Sequence, residues 1–179
     1  MSENWADEAV RLSDLFAQIM YKTLSQRLIA ELTEETVSLP QMQAMRYIWL
    51  HPRVLMGDLA AGLSVSYPSA TNMVNRLERQ QLVERVINPQ DRREVEVQLT
   101  ERGRQLAERV EQERISRMRD VLSRMSEEER AALLNGLHRF IGLAVGDDPD
   151  AAHDICLRCG AHASADCPIA EVHTLPICR

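Results

Sequence analysis

The chain has 179 residues, of which 45% are hydrophobic and only 4% aromatic, and its net charge is −6 at pH 7. This length suits one domain with a tail, or one subunit of an entwined oligomer, with a core built from aliphatic side chains. The acidic balance excludes a protein that coats nucleic acid indiscriminately, whereas a sequence-specific DNA binder needs only a local basic surface.

The first predicted element is a long amphipathic helix from Trp5 to about Leu32. Apolar residues recur along it at helical spacing, namely Val10, Leu12, Leu15, Phe16, Ile19, Met20, Leu24, Leu28 and Ile29. A helix of this length has more apolar face than a small domain can cover. We therefore expect a partner subunit to cover part of it.

Three further helices are predicted after the break at "TEETVSLP". The first has Pro40 in its opening turn and runs to about His51. The stretch "LMGDLAAGL" predicts a short second helix. The third begins with Ser66 as its N-cap and Pro68 in its first turn.

The sequence period then changes from that of a helix to that of a strand. The stretches "LVERVIN" and "EVEVQLT" alternate, and "PQDRR" between them indicates the turn of an antiparallel hairpin with a charged tip. Thr100 is the expected cap of a long helix to about Arg124. A capping box at Ser126 and Glu129 opens another helix to about Val145, after which "GDDPD" indicates an irregular acidic tail.

This order predicts a mainly α protein. Its expected architecture is a winged helix-turn-helix with long N- and C-terminal dimerisation helices and an irregular C-terminal metal-binding tail. We assign residues 1–35 to the N-terminal dimerisation helix and 36–100 to the winged helix-turn-helix DNA-binding region. Residues 101–146 are assigned to the C-terminal dimerisation helices, and 147–179 to the cysteine-rich metal- or cluster-binding tail.

The second helix of a helix-turn-helix presents the side chains near its N-terminus to the major groove. The exposed candidates for DNA contact are Ser66, Ser69, Asn72, Met73 and Arg76. Serine and asparagine can bond to bases or phosphates, and arginine can make a bidentate contact to guanine. Ala70, Val74 and Leu77 fall on the opposite face, where we expect the core.

The predicted hairpin tip carries Arg92 and Arg93 directly after Asp91. A hairpin tip can enter the minor groove, where the negative potential favours arginine. Asp91 has the wrong sign for DNA contact and is better interpreted as the carboxylate that orients a neighbouring arginine. Taken singly, each arginine is more often solvated surface. The combination with the serine-rich helix start is more specific.

The stretch "LVERVINPQDRREVEVQLTERG" resembles the winged-helix core of the MarR (multiple antibiotic resistance) family of bacterial regulators, through its D-x-R tip, the following "LT" and Gly103. The resemblance covers about residues 5–145. It implies an obligate homodimer with intertwined end helices, whose two winged lobes read a pseudo-palindromic operator in double-stranded DNA. It also implies that Arg93 is the minor-groove arginine and that Asp91 orients it. Repression by blocking a promoter is the commonest mode of action in such proteins.

The four cysteines of the chain lie near its C-terminus, as Cys156, Cys159, Cys167 and Cys178. No apolar run approaches the roughly 20 residues that span a bilayer, and the N-terminus does not resemble a signal peptide. We therefore expect a cytoplasmic protein without membrane partners, in which thiols stay reduced. Clustered thiols in that compartment favour metal binding over disulfides.

Four thiolates suit either zinc or an iron–sulfur cluster of the 4Fe–4S or 2Fe–2S type. The second half of the tail has no CxxC pair, and Cys167 precedes Pro168 as ligand cysteines often do in ferredoxin-type sites. These features favour the iron–sulfur cluster, with zinc second and disulfide switching third.

The leading hypothesis is a homodimeric transcription regulator, a repressor whose tail senses redox state, iron or an oxidant. The alternative is a regulator of the same class with a structural zinc site and a small-molecule effector in the helical cleft. A redox or electron-transfer protein is the hypothesis from another class. Because the chain has no phosphate-binding loop and no nucleophile motif, we do not expect an enzyme.

Overall fold

The computed structural model describes residues 4–33, 36–51, 53–87, 95–146, 148–159 and 167–169. The elements, in chain order, are α1 (Trp5–Tyr21), a π-helical segment (Lys22–Arg27), α2 (Leu28–Thr33), α3 (Leu39–Leu50), α4 (Met56–Gly62), α5 (Tyr67–Arg79), β1 (Val83–Ile87), β2 (Val95–Leu99), α6 (Glu101–Leu122), α7 (Glu127–Val145) and α8 (Pro149–Cys159). The mainly helical class with a small two-stranded sheet is as predicted.

The predicted N-terminal helix is continuous from α1 through the π-helical segment into α2. Inside it, the Ser25 hydroxyl donates to the Met20 carbonyl, five residues earlier, at 3.1 Å. No residue of α1, all of which the structure describes, is buried. The first buried residues of this helix are Leu24 in the π-helical segment and then Leu28 and Ile29 in α2, so only its C-terminal part packs on its own chain.

Side-chain caps fix where the helices begin, as predicted for three of them. The hydroxyls of Ser66, Thr100 and Ser126 accept the first free backbone N–H groups of α5, α6 and α7. Ser126 and Glu129 complete the predicted capping box. A further capping box, between Ser38 and Gln41, starts α3.

The strands β1 and β2 form an antiparallel hairpin in register from Val83 opposite Leu99 to Ile87 opposite Val95. The segment before α4 adds to this sheet, because Val97 N–H donates to the Val54 carbonyl at 2.8 Å and Leu55 forms a bridge with Glu96. This pairing ties the wing to the start of the helix-turn-helix. The sequence did not indicate it.

One core joins α2, α3, α4, α5, both strands and α6. Its least accessible large side chains are Leu28, Met45, Leu59, Leu77, Val54, Val74 and Val97. Gly103 allows the start of α6 to approach the wing, since a Cβ atom there would lie 1.9 Å from the Leu82 carbonyl oxygen. We call residues 36–100, which hold most of this core, the winged lobe.

The predicted irregular tail is wrong for its first part, because residues Pro149–Cys159 form α8. A proline in the first turn can start a helix as well as end one. Here the Asp148 carboxylate accepts a hydrogen bond from the Asp150 N–H at 3.0 Å. Ala152 and Cys156 are buried on one face of the helix. The helix packs against α4. Among the helices that the structure describes, none is both long enough and apolar enough to cross a membrane.

Candidate nucleic-acid interface

The helices α4 and α5 are joined by the tight turn of a helix-turn-helix. Ser64 adopts a left-handed backbone conformation with φ of 51°, and its N–H donates to the Ala61 carbonyl at 2.9 Å. The next N–H, that of Val65, donates to Ala60 at 3.0 Å. These bonds end α4 and turn the chain into the N-cap of α5.

The two faces of α5 differ sharply. Ala70, Val74 and Leu77 are each 0% exposed and bind the helix to the core, as predicted. On the other face the exposed candidates are Ser66, Ser69, Asn72 and Arg76. Helix α5 therefore presents one polar face to solvent from a fixed base.

Met73 is a correction to the predicted exposed set. It is half-buried and packs against the core. The reason is its position, three residues after Ala70 and four before Leu77, at the edge of the buried stripe.

The N-terminus of α5 carries an exposed residue that the sequence reasoning missed. Tyr67, directly after the cap, is 58% exposed. Beside it, the Ser66 and Ser69 hydroxyls lie 2.8 Å apart. A helix N-terminus with free N–H groups, hydroxyls and an exposed phenol suits contact with phosphate and sugar. The position of Tyr67 directly after the N-cap could have indicated this exposure from the sequence.

The arginines on and around α5 differ in their exposure and in their ion-pair partners. Arg76 is exposed and makes no ion pair with any part of the chain that the structure describes. Arg85 of β1 instead donates to Asn75 Oδ1 at 2.8 Å and bonds to the Glu78 carboxylate. Arg53, ahead of α4, pairs with Glu96 of β2 at 2.7 Å. Arg76 and Arg79, both exposed on α5 and without an ion pair among the described residues, are thus available to a ligand, and Arg76 lies nearer the N-terminus of the helix.

The predicted wing-tip residues Asp91, Arg92 and Arg93 lie outside the described residues. The strands that lead to the tip are described up to the pair Ile87 and Val95. The proposed minor-groove contact therefore stays a prediction.

A second surface is apolar and runs along the end helices. Its large exposed side chains are Trp5, Leu12, Leu15, Phe16 and Ile19 on one face of α1, and Ile115, Val121, Leu134, Phe140, Ile141 and Leu143 on α6 and α7. Exposed apolar side chains in such number are typical of an interaction site. It suits another protein surface rather than nucleic acid.

A cavity of about 250 Å³ lies between the N-terminal helix, α3 and α6. Its lining includes Leu24, Leu28, Met42, Arg46, Tyr47, Val110, Glu111 and Arg114. The Glu111 carboxylate lies 3.7 Å from Arg46 and 3.3 Å from Arg114. Burial, followed by the charge of Asp58, raises the pKa of Tyr47, so its hydroxyl remains a neutral donor. The cavity combines apolar walls with a few polar groups, as ligand sites do.

The tail cysteines are described in part. Cys156 of α8 is buried with Val145, Ala152 and Ile169, and Cys167 packs against the same cluster. Cys156 and Cys167 form no disulfide with each other in the described part of the chain. Cys159 ends α8, but its side chain is outside the described set, as is all of Cys178. No group of three or more metal-binding side chains occurs in the described residues, so the four-ligand site stays a prediction.

A helix-turn-helix followed directly by a hairpin and flanked by long helices defines a winged helix-turn-helix protein. Residues 37–95 match the model of the MarR family. The chain is 26% identical over 145 residues to the HTH-type transcriptional repressor MdtR of Bacillus subtilis (strain 168), covering 81% of this chain and 92% of that relative. The chain is thus similar to MarR family proteins over residues 37–95, and to a transcriptional repressor over most of its length.

Solved structures show the same fold. A MarR family protein from Bacillus stearothermophilus superposes with a TM-score of 0.68 at 26% identity, over 81% of this chain and 99% of that one. The structure of Streptococcus pneumoniae FabT in complex with DNA has a TM-score of 0.65 at 25% identity, over 78% of this chain and 96% of FabT.

Proposed function

We propose that the protein is a homodimeric, sequence-specific DNA-binding transcriptional regulator that acts as a repressor. The observation that carries this proposal is the division of α5 into a buried face and an exposed polar face. The repressor MdtR and the DNA complex of FabT support it by similarity.

In the proposed complex, α5 enters the major groove. Arg76 contacts a guanine, while Ser66, Ser69 and Asn72 contact bases or phosphates. Arg93 at the wing tip enters the minor groove, oriented by Asp91, and Arg92 adds positive charge near the phosphates. Two lobes arranged about a two-fold axis then read a pseudo-palindromic site.

The dimer itself is supported by the apolar surface of the end helices. Side chains such as Leu15 on α1 and Phe140 on α7 are exposed in the single chain. A symmetric interface can cover the same patch on both copies at once.

The test is selection of bound duplexes from a random-sequence library, followed by binding assays on the enriched duplex. We expect Arg76→Ala to lose about 1–3 kcal/mol of discrimination at one base pair, and Arg93→Ala to weaken binding to the enriched duplex and reduce the salt slope by about 1. Arg139→Ala, an exposed arginine on α7, is the control. Failure to enrich any sequence would contradict the proposal.

We further propose that the tail holds an iron–sulfur cluster on Cys156, Cys159, Cys167 and Cys178, through which redox state, iron or an oxidant is sensed. The support from the described residues is that Cys156 and Cys167 belong to one cluster despite their separation in sequence. Because α8 packs against α4, gain or loss of the metal centre would act directly on the helix-turn-helix.

Anaerobic purification tests the tail. We expect brown protein with iron and acid-labile sulfide, lost in Cys156→Ser and Cys167→Ser and retained in the control His153→Ala, whose side chain is exposed on α8. Colourless protein with stoichiometric zinc would favour the structural zinc site instead. Metal-free protein with unchanged operator binding after reconstitution would contradict both proposals.

The second candidate combines the zinc site with a small-molecule effector in the 250 Å³ cavity. The apolar lining with Arg46 and Tyr47 favours a small aromatic molecule that carries an acceptor group. Phenol and benzoate are suitable probes. This candidate predicts that one of them raises the thermal transition and weakens operator binding, and that Ala107→Leu, which fills the cavity wall, removes both effects.

A further inference from the structure

Arg85 connects the wing to α5. It lies at the centre of β1, and its guanidinium reaches two residues of α5 that are three positions apart, Asn75 and Glu78. In the sequence, Arg76 lies between these two residues, and its side chain is exposed on the proposed DNA-facing surface of α5. We infer that Arg85 is a positioning residue that sets the orientation of the wing relative to α5, and so sets base discrimination, without touching DNA. This inference rests on the proposed DNA-binding function.

We call the contacts of Arg85 with Asn75 and Glu78 the clamp. They suit a positioning role because the guanidinium is a rigid planar group with two donor nitrogens. One terminal nitrogen donates to Asn75 Oδ1 at 2.8 Å while the other bonds to the Glu78 carboxylate. Two bonds from one plane fix both distance and rotation, which a lysine ammonium does not do. The side chains of Arg85 and Glu78 are 28% and 30% exposed, so the pair is partly shielded from solvent.

The base of the clamp is rigid as well. Arg85 lies opposite Val97 in the hairpin, and Val97 is buried in the core and donates to the Val54 carbonyl. Arg85 therefore orients the wing from a strand that is itself anchored in the core of the lobe. On β2, Glu96 pairs with Arg53, whose side chain is 51% exposed. Exposed ion pairs contribute little, so Arg85 supplies a stronger polar constraint on the wing than the Arg53–Glu96 pair does.

The consequence concerns simultaneous contact. Arg76 on α5 and Arg93 at the wing tip must reach the major and minor grooves in one docked geometry. A wing that pivots on α5 can still meet phosphates, which carry most of the non-specific affinity. It satisfies the two groove contacts together less often. Loss of the clamp therefore lowers discrimination rather than general affinity.

Arg85→Lys is the decisive variant, because it keeps the charge and removes the planar group. We expect the ratio of affinities for the selected duplex and a scrambled duplex to fall about tenfold. Affinity for the scrambled duplex should stay within about twofold, since the phosphate contacts remain. Arg117→Lys is the matched control, because Arg117 also binds two carboxylates, those of Glu31 and Glu113, but in the C-terminal half of α6, away from the wing.

A double-mutant cycle with Arg93→Ala separates positioning from direct contact. If Arg85 acts through the wing, Arg85→Lys causes no further loss of discrimination once Arg93 is absent. Fully additive losses, an equal fall in both affinities, or an unchanged ratio in Arg85→Lys would each overturn the inference. A wild-type protein that prefers no duplex would instead contradict the proposed function itself.

Discussion

The winged lobe and the N-terminal helix carry similar apolar stripes but bury them to very different extents. In α5, Ala70, Val74 and Leu77 are 0% exposed. In α1 the corresponding stripe of Leu12, Leu15, Phe16 and Ile19 remains 45–56% exposed. Helical periodicity is equally clear in both. The lobe closes its core within one chain, whereas the stripe of α1 requires a second surface.

This difference divides the stability of the protein into two parts. Burial inside the lobe contributes to folding of each chain, independently of concentration. Burial of the end helices contributes only on association and depends on protomer concentration. Substitutions in the two regions should therefore be distinguishable by dilution.

The largest effect is expected for Leu15→Glu on α1. Leu15 is 50% exposed in the single chain, so covering it on association is worth about half of the roughly 1.5–3 kcal/mol of full burial. A glutamate carboxylate left in the interface costs several kcal/mol more. Because the substitution occurs twice in a symmetric dimer, association should weaken by at least about 3–6 kcal/mol. Sedimentation equilibrium over a dilution series measures this change.

Ala17→Glu is the matched control for Leu15→Glu. Ala17 is also exposed on α1, but it lies about 160° around the helix from Leu15. We expect its dimer constant to match that of the wild type. Equal weakening by both variants would show that added negative charge, and not loss of the apolar stripe, causes dissociation.

A smaller effect is expected in the lobe from Leu77→Ala. Leu77 is fully buried, so the free energy of unfolding should fall by about 2–5 kcal/mol through lost transfer energy and a residual cavity. Urea unfolding measures it. Asn72→Ala, on the exposed face of the same helix, should stay within about 0.5 kcal/mol. A similar loss in both variants would mean that α5 is not anchored by one face.

Features set by neighbouring residues could be predicted from the sequence, and features set by distant partners could not. The caps Ser66, Thr100 and Ser126 depend on groups within three residues, and all three are confirmed. The pairing of Val54 with Val97 joins segments far apart in the chain and left no local pattern. The same holds for Arg85, whose partners lie on another element. The stretch "GDDPD" correctly predicts the end of α7 at Val145, but it does not indicate that α8 starts at Pro149, because a proline that ends a helix and one that starts a helix look alike in sequence.

The smallest expected effect lies at the turn between α5 and β1, where one residue has a strained backbone conformation. Gln81 has a left-handed backbone with φ of 58°, and its N–H donates to the Glu78 carbonyl at 2.8 Å. Its own carbonyl accepts the Thr100 hydroxyl at 2.7 Å, which ties the turn to the start of α6. These bonds hold a conformation that costs a residue with a Cβ atom about 1–2 kcal/mol.

Gln81→Gly should therefore stabilise the lobe. Glycine removes the steric cost, but its greater freedom in the unfolded chain destabilises the folded state by about 0.5–1 kcal/mol. The free energy of unfolding should therefore rise by a net value of about 0.5–1 kcal/mol. Urea unfolding measures the gain. Gln81→Ala is the control, because it removes the exposed side chain and keeps the Cβ atom, and it should leave stability nearly unchanged. An equal gain from alanine would place the effect in the glutamine side chain, whereas a loss in glycine would show that the turn is not strained. The gain should persist at every protein concentration, as expected of a region that folds within one chain.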